Sequence, residues 1–289
     1  MRRFDLVEPR SLSEACATLA NDSDTKVVAG GTALLTIIKQ GLLLPKILVN
    51  LKKINDASAI TFDPVQGLRI GALATINEIE NSEIVKTHYP ALGEACHVVA
   101  NIRIRNMATL GGNLAHGDYQ SDPPTVLAAL DARIELMSAG KVRQLALSDF
   151  QLGSYETALQ PGELLAAVMI PPLPTGMTGH YVKFTTGSSE ERPCVGVAAL
   201  ARIEKGICHE LRLAVGAVST KPVRIAAENL ATGKALTAEL IATIAAAGAR
   251  TIDPIDDVRG PADYKRHLVG VLTRRALQTL ANGRTEKKL

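Results

Sequence analysis

Two glycine pairs, at residues 30–31 and 111–112, are the features that most restrict how this chain can fold. The first pair lies between a strand-like run at residues 26–29 and an expected helix at residues 33–39. Glycines at such a junction let the backbone approach an anion, and the N–H groups at the start of the helix point toward it. A plain tight turn between strand and helix explains the same residues equally well.

The second glycine pair belongs to residues 108–116, which we expect to form a loop. In this segment Thr109 and Asn113 could hydrogen-bond a ribityl chain or a phosphate. Neither glycine segment has the spacing of a Rossmann fingerprint or of a P-loop. A Rossmann dehydrogenase is therefore disfavoured, because the turn that holds its dinucleotide is missing.

Helices and strands alternate in the first part of the chain. Residues 11–21 predict a helix and residues 47–51 a strand, so the first fifty residues read as an αβαβ unit. Thr75 and Glu78 have the spacing of a capping box, which predicts that a helix begins at residue 76. A further helix is expected at residues 122–130, with proline in its first turn.

The last third of the chain has a different pattern. Residues 164–170 predict a strand, and residues 173–179 are the best candidate for a linker, since they contain one proline and two glycines. Three strand-like runs follow, at residues 181–184, 195–203 and 210–218. Mainly helical segments begin at Arg224, so this region reads as a small α+β domain.

Composition excludes several classes of protein. The net charge of +3 gives no case for a nucleic-acid-binding protein. No window approaches the ~20 apolar residues that span a bilayer, and the N-terminus lacks the apolar run of a secretion signal. The four cysteines show no C-x-x-C spacing, so we expect free buried thiols and neither zinc nor an iron–sulfur cluster on this chain. These features predict a soluble, cytoplasmic protein.

Both glycine segments together resemble a known family. The A-G-G-T-A-L run at residues 29–34 and A-T-L-G-G-N-L-A-H at residues 108–116 are similar to the two FAD-binding motifs of the molybdenum hydroxylase flavoprotein subunits. This family includes the medium subunit of carbon monoxide dehydrogenase and the FAD-binding part of xanthine dehydrogenase. The Y-V-K-F run at residues 181–184 resembles the opening of the family's C-terminal domain.

The resemblance implies an α+β fold. Residues 1–175 would form an FAD-binding domain of the vanillyl-alcohol-oxidase (PCMH) type, made of two α/β subdomains at about 1–53 and 54–175. Residues 176–289 would form a C-terminal domain with a three-stranded sheet and helices. The resemblance departs at residues 185–194, which lack the aromatic pattern that covers the flavin in carbon monoxide dehydrogenase.

The resemblance also implies a set of FAD-binding residues. The early motif would wrap the pyrophosphate, the later motif would hold its second side, and Ser121 and Asp122 would hydrogen-bond near the ribityl and adenosine portions. Val99 and Leu165 would pack on the adenine, and Lys183 would reach the polar edge of the flavin, where reduction places negative charge. The implied residues are Val28, Ala29, Gly30, Gly31, Thr32, Ala33, Leu34, Val99, Ala108, Thr109, Gly112, Asn113, His116, Ser121, Asp122, Leu165 and Lys183. For His116, a solvated role is an open alternative.

By the same resemblance, this chain is the electron-transfer subunit of a larger enzyme. A partner large subunit would carry the molybdenum cofactor, and a partner small subunit would carry two [2Fe-2S] clusters. FAD on this chain would collect their electrons and pass them to a final acceptor, in a dimer of heterotrimers. Two alternatives stay open: a stand-alone flavin oxidoreductase of the same fold, and a scaffold subunit that has lost its flavin. No nucleophile–base pair or metal-ligand spacing stands out.

Overall fold

A computed structural model describes residues 3–21 and 24–283. Met1 and Arg2, part of the N-terminus for which no secretion signal is expected, lie outside these residues. The strands are β1 (Asp5–Val7), β2 (Thr25–Val28), β3 (Ile47–Asn50), β4 (Ile60–Asp63), β5 (Gly67–Gly71), β6 (Arg133–Ser138), β7 (Lys141–Ala146), β8 (Gln151–Gly153), β9 (Glu156–Thr157), β10 (Leu164–Ile170), β11 (Met177–Phe184), β12 (Val195–Glu204), β13 (Ile207–Gly216), β14 (Val223–Arg224) and β15 (Lys234–Ala235).

The α-helices alternate with the strands in the first part of the chain and follow them in the last part. They are α1 (Leu12–Ala20), α2 (Leu34–Lys39), α3 (Ile76–Asn81), α4 (Glu83–His88), α5 (Pro90–His97), α6 (Ile102–Arg105), α7 (Leu110–His116), α8 (Asp122–Ala129), α9 (Leu147–Phe150), α10 (Ala238–Thr251) and α11 (Ala262–Ala281). Short 3₁₀ helices lie at Leu51–Lys53, Asn55–Ser58 and Glu228–Leu230. No helix in the described ranges is both long and apolar enough to cross a membrane.

The chain divides into two compact units. The first contains the residues up to Ile79, Asn101–Asp118 and Ala132–Pro171. The second contains Glu80–Ala100, Tyr119–Asp131 and the residues from Pro172 onward. The mixed α and β content agrees with the expected fold class, whereas the expected domain boundaries stay a prediction.

The first unit holds three sheets, of which the smallest pairs β8 with β9. In the three-stranded sheet, β1 and β2 both pair with β3 in parallel, and Ala15 and Cys16 of α1 pack on Val49 and Leu164 in an aliphatic core. The largest sheet is antiparallel, with the order β4-β5-β10-β6-β7. Because parallel strands end at the same edge, the segments that follow β1, β2 and β3 lie together. The glycine-rich segment after β2 is one of them.

The second unit contains three long antiparallel strands, β11, β12 and β13, with the short strands β14 and β15 paired to β13. The helices α10 and α11 cover this sheet with an aliphatic core that includes Val197, Leu213, Ile244 and Leu272. The three predicted strands are thus present, and the short strands β14 and β15, which were not expected, extend the sheet to five strands.

Two expectations about local structure were wrong. The expected linker at residues 173–179 ends early, because the turn closed by the bond from Met177 N–H to Pro174 O leads directly into β11. The expected loop at residues 108–116 is largely the helix α7. It forms because Thr109 caps its N-terminus and its apolar residues Leu110 and Leu114 are buried.

A buried ion pair lies in the second unit. The Lys265 ammonium, fully buried, lies 2.5 Å from the Asp257 carboxylate, which also accepts hydrogen bonds from Tyr119 (3.1 Å) and Gln120 (2.9 Å). Burial alone would raise the pKa of Asp257, but the hydrogen bonds from Lys265 and the Arg259 N–H outweigh it and hold the pKa below its usual range. This carboxylate therefore contributes stability at neutral pH, and the contribution is lost as pH falls through the lowered pKa.

We expect Asp257→Ala to lower the free energy of unfolding by about 3–5 kcal/mol, because it leaves the Lys265 ammonium buried without its counter-charge. Denaturant unfolding at neutral pH measures the change. Asp263→Ala is the matched control: it breaks an exposed pair with Arg266 and should cost at most about 1 kcal/mol. Equal, small costs for both variants would contradict the role given to the buried pair.

Candidate cofactor site

The two glycine-rich segments, far apart in the sequence, touch each other in the first unit. A Cβ atom placed on Gly30 would lie 1.9 Å from the carbonyl oxygen of Met107, so only glycine allows this approach. Ile76 N–H donates to Ala108 O at 2.9 Å, and Thr75 bridges to Thr109. The capping box expected at the start of α3 is confirmed: Thr75 N–H donates to Glu78 Oε2 and Glu78 N–H donates to Thr75 Oγ1.

The early segment presents backbone donors. Gly31 has φ +73°, a conformation that L side chains rarely adopt, and α2 begins three residues later. Ala33, at the N-cap of α2, makes no capping hydrogen bond through its side chain. Within the described ranges, the N–H groups of Gly31, Thr32 and Ala33 donate to no protein acceptor. Such uncapped N–H groups, with the helix dipole behind them, suit an anion.

The two glycines of the later segment have different roles. Gly111 is buried, and a Cβ there would lie 2.6 Å from Ala72 Cβ, so this glycine is needed for packing. Gly112 is exposed, and its missing side chain would meet only Thr109 Oγ1 at 2.9 Å. Gly112 therefore leaves the surface of α7 uncovered, although its N–H donates to Thr109 Oγ1 at 3.1 Å, and the half-buried Asn113 follows it.

A cleft of about 230 Å³ opens beside these segments within the first unit. Its lining includes Ala29, Gly30, Lys52, Asn106, Met107 and Thr109. Of the other implied residues of this unit, Leu165 is buried in β10 and Val28 ends β2. His116, the last residue of α7, packs edge-on against Tyr155, with 5.1 Å between the two ring centroids. The role of His116 toward a cofactor stays a prediction.

In the second unit, Lys183 and Asp122 form a buried pair at the start of α8. Lys183 Nζ lies 3.1 Å from Asp122 Oδ2 and donates to Val98 O at 2.8 Å, next to Val99. The two side chains are 6% and 5% exposed. Ser121 occupies the N-cap of α8. The Asp122 carboxylate, expected to serve a cofactor, thus also neutralises a protein cation.

The sequence reasoning missed Tyr181 as a partner in this cluster. Its hydroxyl donates to Asp122 Oδ1 at 2.8 Å, and burial together with the Asp122 charge raises the pKa of Tyr181 well above its usual value. A signal was present in the sequence: Tyr181 and Lys183 are two apart in a strand, so both side chains point to the same face.

We expect Gly30→Ala to force the two glycine segments apart and to lower the free energy of unfolding by about 1–3 kcal/mol. It should also weaken binding of any ligand held by both segments. Thermal unfolding with and without added FAD measures both effects. Gly93→Ala, whose new Cβ would meet its nearest neighbour at an ordinary 3.8 Å, is the control. A Gly30→Ala protein as stable as that control would show that the close contact is unnecessary.

Comparison with known proteins agrees with this geometry. A family model described as "FAD binding domain in molybdopterin dehydrogenase" matches residues 2–173, and one described as "CO dehydrogenase flavoprotein C-terminal domain" matches residues 181–280. Glyceraldehyde dehydrogenase medium chain of Sulfolobus acidocaldarius is 32% identical, over 96% of this chain and 98% of its own length. Carbon monoxide dehydrogenase medium chain of Afipia carboxidovorans is also 32% identical, over 95% and 96% of the two chains.

A solved structure is similar to this chain in its fold as well as in its sequence. Quinoline 2-oxidoreductase from Pseudomonas putida 86 contains a chain that superposes with a TM-score of 0.92 at 30% identity, covering 98% of both chains. Sequence motifs, the joined glycine segments and these likenesses all agree. The chain belongs to the family of FAD-binding medium subunits of the molybdenum hydroxylases.

Proposed function

We propose that this chain carries electrons through FAD, from [2Fe-2S] clusters on a small partner subunit to a final acceptor. A large partner subunit would hold the molybdenum cofactor, and the whole would assemble as a dimer of heterotrimers. The support for partners is that similar proteins are medium chains or subunits of larger enzymes. A cytoplasmic location, expected from the sequence, stays a prediction.

The observation that carries the proposal is the contact between Gly30 and Met107, which joins both glycine segments into one cradle. The uncapped N–H groups at residues 31–33 and the exposed, side-chain-free surface at Gly112 fit a diphosphate. We infer that residues 28–34 hold one side of it and that Thr109, Gly112 and Asn113 hold the other. A scaffold that binds no cofactor would have no use for the uncapped backbone at residues 31–33.

The cation in the second unit suits a flavin that gains electrons. FAD accepts and releases electrons at its isoalloxazine ring, and reduction places negative charge near N1 and C2=O. Lys183 would stabilise that charge, while Asp122 and Tyr181 fix the position of its ammonium group. Val99, Ser121 and Leu165 would complete the contacts that the resemblance implies.

Electron transfer is tested by mixing FAD-loaded chain, without oxygen, with the small subunit in its chemically reduced form. We expect the visible absorbance of the flavin to bleach as the cluster absorbance of the small subunit returns. The Gly30→Ala chain, which should retain less FAD, is the matched control for transfer through bound cofactor.

Two results would contradict the proposal. A flavin that stays oxidised beside the reduced small subunit, in an assembled complex, would remove the electron path. A flavin that is reduced directly by a small organic substrate, with no partner present, would identify a stand-alone oxidoreductase instead.

A further inference from the structure

The carboxyl edge of the parallel sheet in the first unit has an arrangement of charges that the FAD-binding motifs do not explain. The strands β1, β3 and β2 run parallel, so the residues after Val7, Asn50 and Val28 share this edge. In parallel sheets, ligands bind in the crevice outside the carboxyl ends of the strands. The segment after β2 is the glycine-rich segment already assigned to the cofactor.

Two lysines follow β3, and they differ in their partners. Lys53 Nζ lies 2.7 Å from Glu8, which also accepts a hydrogen bond from the Asn50 side chain at 3.1 Å. Lys52 is the neighbour of Lys53 in the sequence, but it makes no ion pair with any residue in the ranges 3–21 and 24–283. Its ammonium is therefore a cation at this edge that pairs with no carboxylate of the described residues.

Lys52 also lines the cleft beside Gly30 and Thr109. The volume of about 230 Å³ is below the ~300–1,000 Å³ of sites that enclose a drug-sized ligand, so the cleft suits one part of a dinucleotide. Asn106 adds an amide donor to the lining. Glu78 lines it too, and its Oε2 accepts the N–H and the hydroxyl of Thr75, at 2.7 and 2.9 Å. These bonds hold the carboxylate at the helix cap but do not remove its negative charge, so a cation is needed for the cleft to hold an anion.

We propose that Lys52 is a further FAD-binding residue, whose ammonium pairs with the diphosphate of the cofactor in this cleft, with Asn106 beside it. The inference rests on the proposed function, since it assumes that the glycine segments hold FAD. The backbone N–H groups there supply partial charges only, and a diphosphate carries full negative charge. A full cation within the same cleft supplies the counter-charge.

The pair of neighbouring lysines provides a matched test. Lys52→Gln and Lys53→Gln remove the same charge at adjacent exposed positions, so long-range electrostatic effects on an anionic ligand are shared. We expect Lys52→Gln to weaken binding of FAD and of ADP about tenfold, as expected for one lost charge-assisted hydrogen bond. Its affinity for riboflavin, which has no phosphate, should be unchanged, and Lys52→Arg should retain most of the FAD affinity.

Titration of the full-length chain with each ligand, followed by flavin fluorescence or calorimetry at several salt concentrations, measures these effects. The salt dependence of FAD binding should become shallower in Lys52→Gln and stay near wild type in Lys53→Gln. Equal loss in both glutamine variants, or an equal loss for riboflavin, would overturn the role of Lys52 while leaving FAD binding intact. A folded wild-type chain that binds no FAD would overturn the proposed function together with this inference.

Discussion

The close approach of Gly30 to the Met107 carbonyl oxygen is the constraint on which the cofactor site depends. Any side chain at residue 30 would separate the two segments, because a Cβ has no room there. The contact joins the segment that carries the uncapped N–H groups of residues 31–33 to the segment that carries the exposed Gly112. Gly111 packs closely against Ala72, and this contact holds the later segment in place. Local backbone geometry, rather than a particular catalytic side chain, thus makes this region suited to a phosphate-bearing cofactor.

The second unit contains two lysine side chains that are buried in a largely aliphatic interior. Lys183 and Lys265 each have a carboxylate partner, Asp122 and Asp257. Buried pairs of this kind add little net stability, because desolvation offsets their attraction, but loss of one partner is costly. The Asp257 pair has no assigned role beyond stability. The Asp122 pair, with Tyr181 on its other oxygen, fixes the position of the Lys183 ammonium group.

Local signals in the sequence predicted the elements that local interactions determine. The capping box at Thr75 and Glu78 and the apolar run of β10 needed no knowledge of distant residues. The strand β1 and the edge strand β7 were missed because both are largely exposed and lack an alternating apolar pattern. The helix α7 was missed because two glycines weaken its signal, while its stability comes from burial of Leu110 and Leu114. The contact between the glycine segments was implied only by family resemblance, since spacing alone does not show that they meet.

The most direct test of the account is whether the purified full-length chain binds FAD. The purified chain is denatured, and the chromophore that it releases is separated and identified. If the purified protein is colourless, FAD is added to the folded chain and its binding is measured. The account predicts flavin absorbance and about one FAD per chain, retained from the cell or taken up on addition. A folded chain that stays colourless and takes up no FAD, even when its large and small partner subunits are present, would contradict it.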